Sequence, residues 1–186
     1  MLNANEKTIL FLGDSLTEGF GVEQDEAYPT LVQELIAKKL NQKVTIINGG
    51  VSGSTTSDGL ARLKWYLKRK PSLIMVALGA NDGLRGHDLN KSQANLEAII
   101  VHAKDSGAKV LLAGMLVPPN YGEEYAKQFK AMYETLQTKY QLKALPFLLE
   151  GIAGKKEYNQ ADGIHPNAKG HELMAKKVFE FIKEEL

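Results

Sequence analysis

Apolar and polar residues fall into blocks of two kinds along this chain. Short continuous apolar runs recur at Thr8-Ile9-Leu10-Phe11-Leu12, Val44-Thr45-Ile46-Ile47, Leu73-Ile74-Met75-Val76-Ala77-Leu78 and Val110-Leu111-Leu112-Ala113, with a weaker one at Ala144-Leu145-Pro146-Phe147. Runs without polar alternation fit strands buried on both faces, as in a parallel sheet covered by helices. Pro146 marks the fifth run as an edge strand, because proline cannot donate to a ladder. Between the runs the apolar spacing becomes helical. Leu31, Val32, Leu35, Ile36 and Leu40 form one stripe, with Pro29 placed in its first turn. Leu60, Leu63 and Leu67 form a second, and Leu96, Ile99, Ile100 and Ala103 a third that closes near Gly107. Phe129, Met132, Tyr133, Leu136 and Tyr140 form a fourth, and Leu173, Met174, Val178, Phe181 and Ile182 a last one opening near Pro166. Strand and helix therefore alternate five times, which predicts a three-layer α/β/α domain. No repeat, low-complexity tract or linker interrupts the series, so residues 1–186 are read as one domain. In such folds the ligand-binding loops lie at the carboxyl ends of the strands.

Composition narrows the chemistry. With 44% hydrophobic and 24% charged residues, the chain has the balance of a folded globular protein rather than a disordered one. Lys and Arg number 23 against 22 Asp and Glu, a net charge of +1 without a basic stripe or acidic tail. Nucleic acid and anionic membrane surfaces are therefore poor first guesses as partners. The absence of cysteine excludes a disulfide framework, a thiolate metal site and a cysteine nucleophile. No apolar run approaches the roughly 18 residues of a spanning helix, so no membrane anchor is expected. The polar start Met1-Leu2-Asn3-Ala4-Asn5-Glu6-Lys7 has no charged-then-apolar leader. The expected location is cytoplasmic if the chain is complete, and periplasmic or secreted if a leader was removed.

The polar residues that carry chemistry follow the strands. After the first comes Gly13-Asp14-Ser15-Leu16-Thr17-Glu18-Gly19, and after the second Asn48-Gly49-Gly50-Val51-Ser52-Gly53-Ser54. After the third comes Gly79-Ala80-Asn81-Asp82-Gly83-Leu84-Arg85-Gly86, and Asp162-Gly163-Ile164-His165-Pro166 precedes the last helix. Ser15 is either an exposed hydroxyl with a free N–H at the strand tip or a helix N-cap. Neither Ser15 nor Ser52 lies in the Gly-x-Ser-x-Gly elbow of the α/β-hydrolases. Asp162, three residues before His165, can reach back to Nδ1 and leave Nε2 free for a serine proton; equally, it can cap its own turn. Asn81 reads as a donor to a developing oxyanion, with the N–H groups of Gly53 and Ser15, or as part of an Asn-Asp turn. His87 has only Asp88 as a nearby acid, while His102 and His171 fall in helical stretches and read as solvated surface residues.

Together these blocks resemble the SGNH (GDSL) hydrolase family, named for its Ser, Gly, Asn and His blocks. Gly-Asp-Ser15-Leu, Asn-Gly-Gly-Val-Ser-Gly53, Gly-Ala-Asn81-Asp and Asp162-Gly-Ile-His165-Pro match in order. Within the family the chain looks most like bacterial thioesterase/lysophospholipase-type esterases and arylesterases. Asn81-Asp-Gly-Leu-Arg-Gly86 matches that group's loop after the third block, and Pro119-Asn120-Tyr121-Gly122 its later substrate-side loop. The resemblance implies a flavodoxin-like sheet of five parallel strands, no metal and no cofactor. It implies Ser15 as nucleophile, His165 as base and then acid, and Asp162 as its orienting partner. Ser15 N–H, Gly53 N–H and the Asn81 side chain would hold the oxyanion, and Leu84, Pro118, Asn120 and Tyr121 would line the substrate side. The activity it implies is hydrolysis through an acyl-enzyme, and the partner it implies is a small-molecule carboxylic ester or thioester. Two alternatives are a carbohydrate deacetylase on the same fold and a flavodoxin-like binding domain. The second lacks both a Gly-x-Gly-x-x-Gly run and a P-loop.

Overall fold

Every apolar run becomes a strand of one parallel sheet. The computed structural model describes residues 7–186; Met1 to Glu6 lie outside them. The strands are β1 (Lys7–Gly13), β2 (Val44–Gly50), β3 (Leu73–Ala77), β4 (Lys109–Ala113) and β5 (Lys143–Leu145), in the order β2-β1-β3-β4-β5. All four neighbouring pairs are parallel. Successive side chains on a strand point to opposite faces. Since every residue of β3 is buried, both faces of the sheet must be covered. The fold is the α/β sandwich that the periodicity implies. β5 is indeed an edge strand and stops at Leu145, one residue before Pro146.

The helices are α1 (Ser15–Glu18), α2 (Tyr28–Leu40), α3 (Thr56–Tyr66), α4 (Ala80–Leu84), α5 (Leu89–Asp105), α6 (Glu123–Tyr140) and α7 (Ala168–Ile182). α2 packs on α7, while α3 packs on α5, which also meets α6. The core contains fully buried Ile9, Leu10, Phe11 and Leu12 of β1 and Ile74, Met75 and Val76 of β3. Burial of each such side chain contributes about 1.5–3 kcal/mol. Among the described residues no helix is long and apolar enough to cross a membrane.

Three details depart from the apolar pattern. β2 continues through Asn48, Gly49 and Gly50, because their backbone stays in register with Phe11, Leu12 and Gly13 of β1. Two short helices, α1 and α4, start directly after β1 and near the end of β3. And His171 is not a solvated residue: it is 1% exposed, and its Nδ1 accepts the N–H of Tyr28 at 3.2 Å. The last helical stripe alone could not show this, since the partner comes from α2. Chain order reverses between β1 and β3, since β1 leads to β2 on one side and β3 lies on the other. Such a switch point opens a crevice beyond the carboxyl ends of the strands. Ser15 follows one of the two flanking strands and Asn81 the other.

Candidate active site

Ser15 stands where β1 gives way to α1, and its neighbour leaves it free. The cap of α1 is Asp14, whose Oδ1 accepts Leu16 N–H at 3.0 Å. Ser15 is therefore the first helical residue, and its N–H is one of the donors a helix start leaves unpaired. Among the described residues that N–H has no acceptor. α1 ends after one turn at Gly19, whose φ of 89° is left-handed.

The second half of the site arrives from 150 positions away. His165 Nε2 lies 3.0 Å from Ser15 Oγ, and His165 Nδ1 lies 2.6 Å from Asp162 Oδ2. Asp162 Oδ1 also accepts the N–H groups of Ile164 and His165, at 2.9 and 3.0 Å. Capping the turn and orienting the imidazole are thus both done by this carboxylate, one oxygen for each. The loop is anchored by the bridge between Asn159 and Pro166 and by Gln160, whose Nε2 donates to Phe20 O at 2.7 Å and Pro166 O at 2.9 Å. Those bonds tie the histidine loop to the segment after α1. The Phe20 ring lies 4.6 Å from the His165 ring, at 44° to it.

Gly53 and Asn81 come from the two loops beside Ser15. Gly53 has φ +75°, a left-handed backbone that suits glycine. Gly50 permits a close approach: a Cβ there would fall 2.0 Å from Glu18 N, so any larger residue would push β2 away from α1. Glu18 Oε2 accepts Ser52 N–H at 2.8 Å and the Ser52 hydroxyl, fastening the loop next to Gly53. The Gly53 N–H has no acceptor among the described residues. Asn81 Nδ2 donates to Ser54 O at 2.9 Å, which occupies one of its two protons. Asp82, next to it, is buried and accepts Thr56 N–H at 2.9 Å, Thr56 Oγ1–H at 2.6 Å and Ser92 Oγ–H at 2.9 Å. It locks α4 to the starts of α3 and α5, and so holds Asn81 in place. The exposed Arg85 brings a guanidinium nitrogen within 3.4 Å of the position a Cβ on Gly53 would take.

Charge is unevenly placed around this centre. The hydrogen bond to His165, backed by the two N–H groups, holds Asp162 down at about 2, so the carboxylate is ionised at neutral pH. Burial pushes Asp14 up to about 6 against the bond from Leu16. Its Oδ2 is buried without a partner. Burial pushes His171 down to about 4, which keeps it a neutral acceptor for Tyr28.

The residues expected on the substrate side divide into two groups. Tyr121 Oη donates to Leu84 O at 2.9 Å, joining the loop after β4 to α4. Pro118 and Asn120 are exposed on the same loop as Tyr121, and no bond ties either to Ser15 or His165. Among the described residues no cluster of three or more His, Asp or Glu side chains is placed to hold a metal ion.

An imidazole linking a carboxylate to a serine hydroxyl, beside unpaired N–H donors, is equipped for acyl transfer. The model of the GDSL-like lipase/acylhydrolase family matches residues 11–173. The chain belongs to that family. It is an ester-bond hydrolase, which removes the flavodoxin-like binding domain as a reading. Among similar proteins, the arylesterase of Vibrio mimicus is 40% identical over 184 residues, covering 98% of this chain and 89% of the relative. Thioesterase 1/protease 1/lysophospholipase L1 of Escherichia coli is 37% identical over 169 residues, covering 90% of this chain and 79% of that protein. The crystal structure of TesA superimposes with a TM-score of 0.93 at 36% identity, covering 97% of this chain and 100% of that one.

Two residues near this candidate site escape the sequence reading, Phe20 beside the His165 ring and Arg62 on the Gly13 and Gly49 carbonyls. Phe20 follows Gly19 directly, and a large apolar residue next to a glycine helix stop is the available signal. Arg62 lies between the apolar positions of α3, and nothing in its spacing sets it apart from a surface cation.

Proposed function

We propose that the chain is a single-domain serine esterase working through an acyl-enzyme on Ser15. The observation that carries this reading is the double contact of His165, to Asp162 on one side and to Ser15 on the other. Ser15 Oγ attacks the substrate carbonyl carbon while its proton passes to His165 Nε2. The carbonyl oxygen becomes an oxyanion received by Ser15 N–H, Gly53 N–H and the remaining Asn81 Nδ2 proton. Collapse breaks the bond to the leaving oxygen or sulfur, which takes the proton from His165. Water then gives a proton to the same nitrogen and attacks the acyl carbon; collapse of this second oxyanion breaks the bond to Ser15 Oγ, which takes the proton back from His165 as the carboxylic acid leaves. Asp162 stays ionised throughout and stabilises the imidazolium.

The substrates are carboxylic esters and thioesters, a range supported by the arylesterase and thioesterase names of the relatives. Leu84, Pro118 and Tyr121 give the acyl chain apolar contact, and Asn120 a polar one at the rim.

The test is active-site labelling followed by a substrate panel. An organophosphonate should form its adduct on Ser15, and Ser15→Ala should lose kcat by on the order of 10⁴-fold or more, since the groups act as a unit. An adduct on Ser52 or Ser54 would overturn the assignment. The panel compares aryl esters of rising chain length, an acyl thioester, a lysophospholipid and acetylated xylan. Turnover confined to the acetylated sugar would replace the esterase reading with the deacetylase. Chain-length dependence unaffected by Leu84→Ala or Tyr121→Ala would remove the acyl-contact assignment.

A further inference from the structure

One side chain outside the reacting groups touches the segments beside two of the oxyanion donors, Ser15 and Gly53, and is one hydrogen bond removed from the third, Asn81. Arg62, on α3, is mostly covered: 17% of its side chain is exposed. Its Nη2 donates to Gly13 O at 2.6 Å and to Gly49 O at 2.5 Å, carbonyls near the ends of the neighbouring strands β1 and β2. Its Nη1 donates to the Ser54 hydroxyl and lies 3.3 Å from Asp58 Oδ1. Ser54 Oγ in turn donates to Asp58 Oδ1 at 2.6 Å.

Two of these contacts lie close to oxyanion donors. Gly13 is two residues before Ser15. Ser54 directly follows Gly53, and its carbonyl accepts the Asn81 amide at 2.9 Å. Gly13 O also accepts Val51 N–H at 3.3 Å, so the two loops already share one bond beside the guanidinium. One rigid planar cation thus bridges β1, β2 and the Gly53 loop, and α4 joins it through the bond from Asn81 to Ser54 O. Only arginine has the fork that this requires; a lysine ammonium is a single point on a flexible stem. Arg62 Nε is buried without a partner, a cost that the four contacts made by the Nη atoms offset.

We propose that Arg62 is a positioning residue of the oxyanion pocket, holding Gly13 O, Gly49 O and Ser54 Oγ so that Ser15 N–H, Gly53 N–H and the Asn81 amide converge on one oxygen. The proposal rests on the acyl-enzyme reading above. Misplacing such donors by about an ångström weakens transition-state binding while leaving ground-state binding nearly intact. The signature is therefore a loss in kcat rather than a rise in KM.

The experiment is a mutant cycle on a short-chain p-nitrophenyl ester, with Arg62→Met, Arg62→Lys, Asn81→Ala and the pairwise combinations. Asn81→Ala alone is expected to lose about 10²–10³-fold in kcat. Arg62→Met is expected to lose on the order of 10²-fold with KM within about threefold. Arg62→Lys should recover part of that loss by keeping one of the carbonyl contacts. The double variant Arg62→Met with Asn81→Ala should be little worse than the worse single variant, because both act on the same pocket. Losses that multiply, or an Arg62→Met enzyme with kcat within about twofold of wild type, would overturn the role of Arg62. Should Arg62→Met fail to fold, Ser54→Ala removes one acceptor of the fork and keeps the arginine. Its kcat loss of about tenfold should likewise fail to multiply with that of Asn81→Ala, and a multiplying loss would overturn the proposal. Full activity of Asn81→Ala alone would instead overturn the oxyanion reading, and the Arg62 proposal with it.

Discussion

Asp14 permits a quantitative test of how the nucleophile turn is built. Its carboxyl caps α1 through one oxygen and leaves the other buried without a partner, and burial raises it from an ordinary 3.8 to about 6. The folded protein therefore holds this proton more tightly than the unfolded chain does. The contribution to stability is greatest below about pH 4 and is lost as pH rises through about 6. At about 1.4 kcal/mol per tenfold change in proton affinity, the loss is about 3 kcal/mol. His171 works in the opposite direction. Its folded value lies at about 4, below the ordinary 6.5, so it costs stability as pH falls from about 6.5 to about 4, again by about 3 kcal/mol. The two slopes cover the same range and nearly cancel, so the wild-type curve hides both. Asp14→Asn keeps a capping oxygen and removes the titration. Urea unfolding followed by circular dichroism at several values from about pH 4 to about pH 7 should show the His171 slope unmasked. Relative to wild type, the variant should gain about 2–3 kcal/mol across that range, whatever constant offset the new amide introduces. His171→Gln should tilt the curve the other way. Parallel curves for wild type and Asp14→Asn would refute a carboxyl raised by burial.

Other expected outcomes bear on the reacting groups. Asp162→Asn should fold, since Asp162 is exposed, and lose kcat by on the order of 10⁴-fold through the wrong imidazole tautomer; steady-state activity within tenfold of wild type would count against it. Gly53→Ala forces a side chain onto a left-handed backbone at a cost of about 1–2 kcal/mol, and a relaxed loop turns its N–H aside. Its kcat should fall about tenfold or more, and unchanged kcat would remove Gly53 from the pocket. Arg85→Gln should lower kcat/KM about tenfold for thioesters with phosphate-bearing leaving groups and leave neutral aryl esters unaffected, because the guanidinium stands beside Gly53. Equal losses on both substrates would exclude a contact with the leaving group.

The alternation of apolar runs and helical stripes was enough to count the strands, and the runs without polar alternation pointed to a parallel sheet, because strand length and two-sided burial show in local periodicity; which strands pair is decided over long range. The short motifs made Ser15, Gly53, Asn81, Asp162 and His165 the candidates, since each sits at a strand end or turn whose chemistry shows in a few neighbouring residues. Convergence was a different matter. His165 reaches Ser15 through Gln160 and the Asn159–Pro166 bridge, long-range contacts that leave no period in the chain. The same holds for Asp14 taking the cap and freeing Ser15, for His171 buried against Tyr28, and for Arg62 gripping two strand ends. A side chain's burial and partners are set by whichever segment packs against it. Neighbours in sequence settle what a segment can form, and neighbours in space settle what its residues do.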